Sequence, residues 1–402
     1  MSADTTKVTL PDICDLVTDG THDSPKLQSS GIPFIKGKHI SSGRIDFANC
    51  DYITEQDHRR CIRRVRPQAN DVLFSNIGSV GDAARVPYDI EFSIKNVALF
   101  RPNPEKINPL YFYYLVISPY FRGHFLNVRS GAAQPFISLE NFRSLRFTYI
   151  RDKTAQQRIG NILSAYDDLI ENNRRRIQLL KQAARLLYKE WFVHLRFPGH
   201  EHVKVKNGVP EGWEKKTAFD VMQVLSGGTP KTARAEYWNG SIPFFTPKDT
   251  TKQVYSYTTE KTLTENGLNN CNSKLYPKDT IFITARGTVG NINLAQTTMA
   301  MNQSCYALVA KPPLDQHFLY FALIEGVEQF RSRAVGAVFD AIIIDTFKLI
   351  PFVVPSEKLI KAFTENAPPI IRQIDILTTQ NRKLFEAKDI LLPRLMNGDI
   401  TV

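Results

Sequence analysis

The densest chemistry-bearing stretch is RRCIRRVR, which sets five arginines between Arg59 and Arg66. Fixed positive charge at that spacing suits a phosphate backbone and suits a solvated face equally well. His22 in the turn-rich DGTHDSPK, and Lys36, Lys38 and His39 in IPFIKGKHI, add donors on loops. His200 and His202 have metal-ligand types, but no cysteine or acidic triad accompanies them, so a surface linker is expected and no metal site is assigned. GGTPK at Gly227 lacks the GK[ST] ending of a phosphate loop and a helix behind it. Asp71 and Asp279 precede strand-like runs, where turn or cap roles are ordinary. An NPPY or DPPY tetrapeptide, a glycine-rich cofactor loop, a Walker lysine and a metal-binding cluster of acids are all missing, so catalysis by this chain is not expected.

A net charge of +11 and a pI near 9.3 favour an acidic partner such as nucleic acid. The five cysteines are scattered and form no CxxC pair, which points to a reducing compartment. The N-terminal MSADTTKVTLPD has neither a basic start nor an apolar core, and no apolar run approaches spanning length. A cytoplasmic protein without a membrane role is expected.

The elements that must position these loops are dominated by one seam. Ile159, Leu163, Tyr166, Ile170, Asn173, Ile177, Leu180, Ala184, Leu187 and Trp191 alternate at four and three residues. Thr154 and Gln157 read as a capping box opening that helix. Ile370, Ile374, Leu377, Asn381, Leu384, Lys388, Leu391 and Leu395 repeat the pattern near the C-terminus. Asn173 and Asn381 are isolated polar residues at core positions, the usual device for fixing register. Pro368 and Pro369 disfavour helix continuation through Ala367, so SEKLIKAF is expected as its own short helix or before a kink, and Pro393 is expected to end or bend the last turn.

Asn381 follows Asn173 by 208 residues (381 − 173), and similar offsets recur outside the helices. IPF at Ile32 returns at Ile242, and DVLF…GSVG from Asp71 returns as DTIF…GTVG from Asp279. LYFYYL at Leu110 returns as FLYFAL at Phe318, and NFRSLRF at Asn141 as TFKLIPF at Thr346. The chain is thus an internal duplication. A helix is expected over Pro109 to Phe125, and HVKVKNGVPEGW reads as a linker. The fold class is α/β: two duplicated mixed α/β domains, 1–153 and 198–354, joined and separated by long helices at 154–197 and 355–402. The helices are expected to form an antiparallel coiled coil with pseudo-two-fold symmetry. At ~1.5 Å per residue the seam spans on the order of 50 Å. Two unlike domains held at its ends would address two unlike patches on a duplex.

This organisation, with KEWFVHLRFPGH after the first helix and LLPRLMNGDI at the end, resembles the specificity subunit of type I restriction-modification systems. The resemblance covers essentially the whole chain. It implies two target recognition domains, double-stranded DNA as ligand, two methyltransferase subunits as partners, and restriction/translocase subunits in the full complex. It also implies that AdoMet, and ATP with Mg in the full enzyme, belong to those partners, with no cofactor in this chain. Ile162, Leu169, Leu179, Ala183 and Leu186 widen the apolar face beyond a two-helix seam, as docking of further helices would require; cover by the globular domains is the competing reading. The DNA-contact candidates in the first domain are Thr21, His22, Lys36, Lys38, Arg63, Asn76 and Gln134. In the second they are Thr229, Lys231, Thr246, Lys248, Arg286 and Gln303, with Arg174 and Arg175 on the helix facing the spacer. For each, a fold-holding role is the competing reading. A standalone DNA-modifying enzyme and a coiled-coil adaptor without a DNA role are the alternative functions.

Overall fold

A computed structural model describes residues 5–41, 43–77, 80–126, 136–334 and 341–402. It divides into two compact units, Met1–Glu171 with Arg382–Val402, and Asn172–Asn381. Two helices run through both, a central one at Lys153–Tyr188 and a C-terminal one at Glu357–Met396. Each unit therefore takes one part of each helix.

The first unit is built on a four-stranded antiparallel sheet, in the order Cys14–Asp19, Ala98–Pro102, Val72–Phe74, Ala83–Arg85. Both faces are covered, so successive residues feed two different cores. Val72, Phe74, Ala98 and Phe100 join the aromatic core under Tyr111 to Val116, whereas Leu73, Ala84 and Leu99 join a second core with Ile35 and Phe92. A smaller sheet sets Ile32–Ile35 between Asp51–Ile53 and, in parallel, Ser93–Ile94. Each fully buried aromatic ring contributes roughly 1.5–3 kcal/mol through removal from water.

The second unit repeats this plan. Met222–Ser226, Cys305–Ala310, Ile281–Thr284 and Ile292–Ala295 follow the same order, and Tyr255–Ser256 is added in parallel at the edge. Ile281, Ile283 and Leu308 face the helices, while Phe282 and Ala307 face a separate core. Trp238–Phe245 pairs with Lys261–Leu263 and, in parallel, with Ala300–Met301.

Within each unit the helices pack antiparallel. In the first, Ile159 and Leu163 share a core with Leu392, Leu395 and Met396; in the second, Ala184 and Tyr188 share one with Phe363, Ala367, Ile371 and Ile374. Asn173 and Asn381 are both buried, and Asn173 Nδ2 donates to Asn381 Oδ1 at 3.0 Å. Lys388, the other polar seam residue, is ion-paired with Asp167 and lies over the Tyr114 ring at 5.8 Å. Tyr114 Oη donates to the second oxygen of Asp167 at 2.7 Å. The seam's polar groups are thus satisfied inside the packing.

Several local expectations are corrected. The side chain at the start of the central helix is Asp152, whose Oδ1 accepts from Thr154 N at 2.8 Å, rather than a Thr154 box. After Tyr188 the helix widens into a π-helical turn, Lys189–Val193, and Leu195 at φ 58° leaves the helical region. Pro368 and Pro369 do not interrupt the C-terminal helix; Pro393 does lie in its last turn, which ends at Met396. The two carbonyls that Pro368 and Pro369 leave without amide donors belong to Thr364 and Glu365, half-buried and exposed respectively, while Phe363, Ala367, Ile371 and Ile374 anchor the opposite face. Instead, a break falls at Ser118: helices Pro109–Ile117 and Pro119–Leu126 are separate because a residue before proline avoids the helical region. Ser118 Oγ then accepts from Phe121 N at 3.2 Å. The presumed linker contains a hairpin, Val205–Lys206 with Val209–Pro210, turned by Asn207 and Gly208 at φ 49° and 73°.

Replacing Asn173 by alanine removes the donor that Asn381 Oδ1 accepts from inside the buried seam. The variant is expected to lose about 1–3 kcal/mol, read as a lower urea midpoint, and a double Asn173→Leu/Asn381→Leu variant is expected to recover it.

Candidate nucleic-acid interface

In the first unit three loops converge where the two sheets meet. Thr21 N donates to Ile94 O at 3.0 Å, Lys95 N to Ile35 O at 2.9 Å, and Gly20 N to Val97 O at 3.0 Å. The second unit forms the same junction, with Gly228 N on Met301 O at 3.1 Å and Asn302 N on Phe245 O at 3.0 Å. A glycine is required at the crossing in both. A Cβ on Gly20 would meet Ile94 O at 2.2 Å, and one on Gly227 would meet Asn302 O at 2.2 Å. Backbone bonding thus fixes a platform, and the tips of its loops vary.

The turn after each IPF strand is held by an acceptor three residues on. Lys36 N donates to His39 Nδ1 at 3.1 Å, and Thr246 N donates to Asp249 Oδ2 at 2.7 Å. Asp249 Oδ1 also accepts from Glu260 N at 2.7 Å. Because His39 Nδ1 accepts, the ring must be neutral with its proton on Nε2. Burial, then the charge of Lys38, depresses the His39 pKa; burial does the same to His58, whose Nδ1 meets Ser93 Oγ at 2.8 Å.

The candidate residues divide by environment. Thr21 is buried and its Oγ1 accepts from Asp23 N at 3.1 Å; Asn76 is buried and its Nδ2 donates to Ile137 O at 3.1 Å. Both side chains are thus withdrawn from the surface and bonded within the unit. Thr246 likewise spends its hydroxyl on Asp249, at 2.7 Å. Lys36 and Lys38 stand at the loop tip and share Asp51, at 2.8 and 3.2 Å. Burial raises the Asp51 pKa, but the hydrogen bonds and charges of those lysines outweigh it and hold the carboxyl below its usual range.

His22 is largely exposed, its Nε2 3.2 Å from Asp19 Oδ2. In the arginine run, Arg59, Arg60, Arg64 and Arg66 pair with Glu55, Asp57, Asp19 and Glu91, so most of its charge is already compensated. Arg63 is exposed. Lys231, Arg286 and Gln303 are exposed, Thr229 is half-buried, and Lys248 reaches Glu260 only at 3.9 Å. Arg174 and Arg175 lie on the central helix and are partnered. Gln134 lies outside the described residues.

Residue-type reasoning overlooked Asn96, which sits at φ 50° beside Lys95 on the first platform. The available signal was its place two residues beyond the strand that pairs with IPF. Asp71 and Asp279 have scaffold partners: Arg101 Nε and Nη2 each donate to Asp71 at 2.8 Å, and Tyr255 Oη donates to Asp279 at 2.6 Å. Among the described residues no group of three or more His, Cys, Asp or Glu could hold a metal, and His200 Nδ1 faces Phe197 O at 2.8 Å.

The neutral histidines predict an acid-side loss of stability. Their folded pKa values lie below the unfolded one, so the unfolded chain takes up protons first as pH falls. Their contribution is present above the unfolded value of ~6.5 and declines below it. The thermal midpoint is expected to fall between about pH 7.5 and 5.5, and to fall less in a His39→Asn/His58→Asn variant.

A type I restriction modification DNA specificity domain model matches residues 3–182 and again 210–392. The type I restriction enzyme HindI specificity subunit of Haemophilus influenzae is 26% identical over 368 residues, covering 75% of this chain and 80% of that protein. The putative type I restriction enzyme MjaX specificity subunit of Methanocaldococcus jannaschii is 25% identical, covering 98% and 93%. The crystal structure of a type I restriction-modification S subunit from M. genitalium shares the fold, with a TM-score of 0.65 at 17% identity over 98% of this chain and 96% of that one. The two platforms fall within the two matched stretches, and the chain belongs to the type I restriction-modification DNA specificity family.

Proposed function

We propose that each platform reads one half of an asymmetric, bipartite site on double-stranded DNA. The observation that carries this reading is one backbone-fixed loop junction built twice with different tips, Lys36-Gly37-Lys38-His39 in one unit and Thr246-Pro247-Lys248-Asp249 in the other. Lys36, Lys38 and Arg63, and Lys231, Lys248 and Arg286, would meet phosphates, while the loops that carry His22, Thr229 and Gln303 would face base edges. Arg174 and Arg175 would approach the spacer backbone. The length of the two helices would set the spacing of the half-sites.

The chain would supply recognition and leave the chemistry to companions. Large apolar side chains stand exposed along the central helix, Leu169 at 47%, Leu179 at 64%, Leu186 at 57% and Val193 at 50%, and Ile376 and Ile390 do so on the C-terminal helix. Leu179 and Leu186, one heptad apart on the central helix, present one stripe to further helices. We assign that stripe to two methyltransferase subunits, which would bring AdoMet; restriction/translocase subunits would bring ATP and Mg. Among the described residues no helix is long and apolar enough to cross a membrane, and a cytoplasmic complex is proposed.

The reading is tested by selecting duplexes from a randomised pool with the chain assembled on its methyltransferase subunits. One asymmetric two-part motif is expected; selection without sequence preference would favour the adaptor alternative. Replacing Lys231 and Lys248 by alanine should weaken binding to all sequences alike and lower the slope of log affinity against log salt by about 2. Adding one heptad at facing positions of both helices should lengthen the preferred spacer by about three base pairs, from ~1.5 Å per residue against ~3.4 Å per base pair.

A further inference from the structure

The platform bonds give a correspondence between the units that does not depend on residue identity. Thr21 N and Gly228 N donate to Ile94 O and Met301 O, which makes His22 the counterpart of Thr229. Ile94 and Met301 close the strands that run parallel to the two IPF segments. Asn96 and Gln303 each stand two residues beyond those strand ends, so they are counterparts too. Both carry a carboxamide, although the surrounding sequences, SIKNV and MNQSC, have little else in common.

In each unit the two counterparts touch. His22 Nδ1 lies 2.9 Å from Asn96 Oδ1, and Thr229 Oγ1 donates to Gln303 Oε1. His22 is itself oriented by Asp19, which is buried and tied to Arg64. A long polar side chain on an open surface ordinarily samples several rotamers. Here the oxygen of each amide is held by a neighbour, with Asn96 half-buried and Gln303 exposed. A held amide loses less side-chain entropy on binding, which is what a specificity contact needs.

Resting on the proposed half-site reading, we infer that Asn96 and Gln303 are the equivalent base-reading side chains of the two platforms, with His22 and Thr229 as their positioning residues. The chemistry that matches a carboxamide is a purine edge offering an acceptor beside an amino donor, the N7 and N6 of adenine in the major groove. The carbonyl oxygen has two lone pairs, so a held amide can still accept from N6 while its NH2 group donates to N7.

The test uses the same duplex selection with the assembled complex. Asn96→Gly removes the amide and keeps the left-handed backbone at φ 50° unstrained. It should reduce discrimination at one base pair of the first half-site by roughly tenfold to a hundredfold and leave the second half-site unchanged. Gln303→Ala should do the converse. Thr229→Val should weaken discrimination at the base pair read by Gln303, and Thr229→Ser should restore it with no change in salt slope or thermal midpoint. If the unaltered complex selects no bipartite motif, the half-site reading fails and this inference with it. If it does select one and Asn96→Gly and Gln303→Ala leave both half-sites intact, or weaken all sequences uniformly, only the assignment of these amides is overturned.

Discussion

An amide buried in an apolar helix seam has to find a partner, and Asn173 meets Asn381 across the interface at 3.0 Å. A slip of either helix would separate them and break that buried hydrogen bond. That constraint propagates outward. In the first unit it accompanies the Lys388–Asp167–Tyr114 cluster, which ties the C-terminal helix, the central helix and the aromatic helix Pro109–Ile117 together. In the second it accompanies Arg185 paired with Glu325 and Lys278 paired with Asp375, which tie the same two helices to the domain they carry. Register therefore decides which side chains each α/β unit is offered.

Duplication places the same junction in both units and leaves its periphery free to diverge. The bonds that hold the loops are between backbone groups, so they tolerate any sequence that supplies Gly20 or Gly227 at the crossing. The turn after IPF shows the divergence plainly: a histidine ring accepts the backbone amide in one copy and an aspartate in the other. Equivalent geometry with unequal chemistry gives the two turns different responses to acid.

The seam, the duplication and the α/β class were legible because they rest on periodicity and on residue strings that survive in both halves. Local features were less so. The Asn207-Gly208 hairpin turn was present in the sequence but masked by the charge and proline around it. Pro368 and Pro369 read as a break, and the apolar face through Phe363, Ala367 and Ile371 overrode them. At the platform, residue type identified donors without showing which pointed outward. Thr21 and Asn76 have suitable groups but are buried, whereas Asn96 becomes conspicuous only when strand pairing aligns it with Gln303.

The central claim, that two unlike platforms on one chain specify one two-part DNA site for a companion methyltransferase, is tested most directly by single-molecule sequencing of N6-methyladenine. DNA from cells expressing this chain with its methyltransferase subunit would be compared with DNA from cells expressing that subunit alone. One asymmetric bipartite motif, methylated only when both are present, is the predicted result. An active, assembled methyltransferase that leaves the methylation pattern unchanged when this chain is added would contradict it.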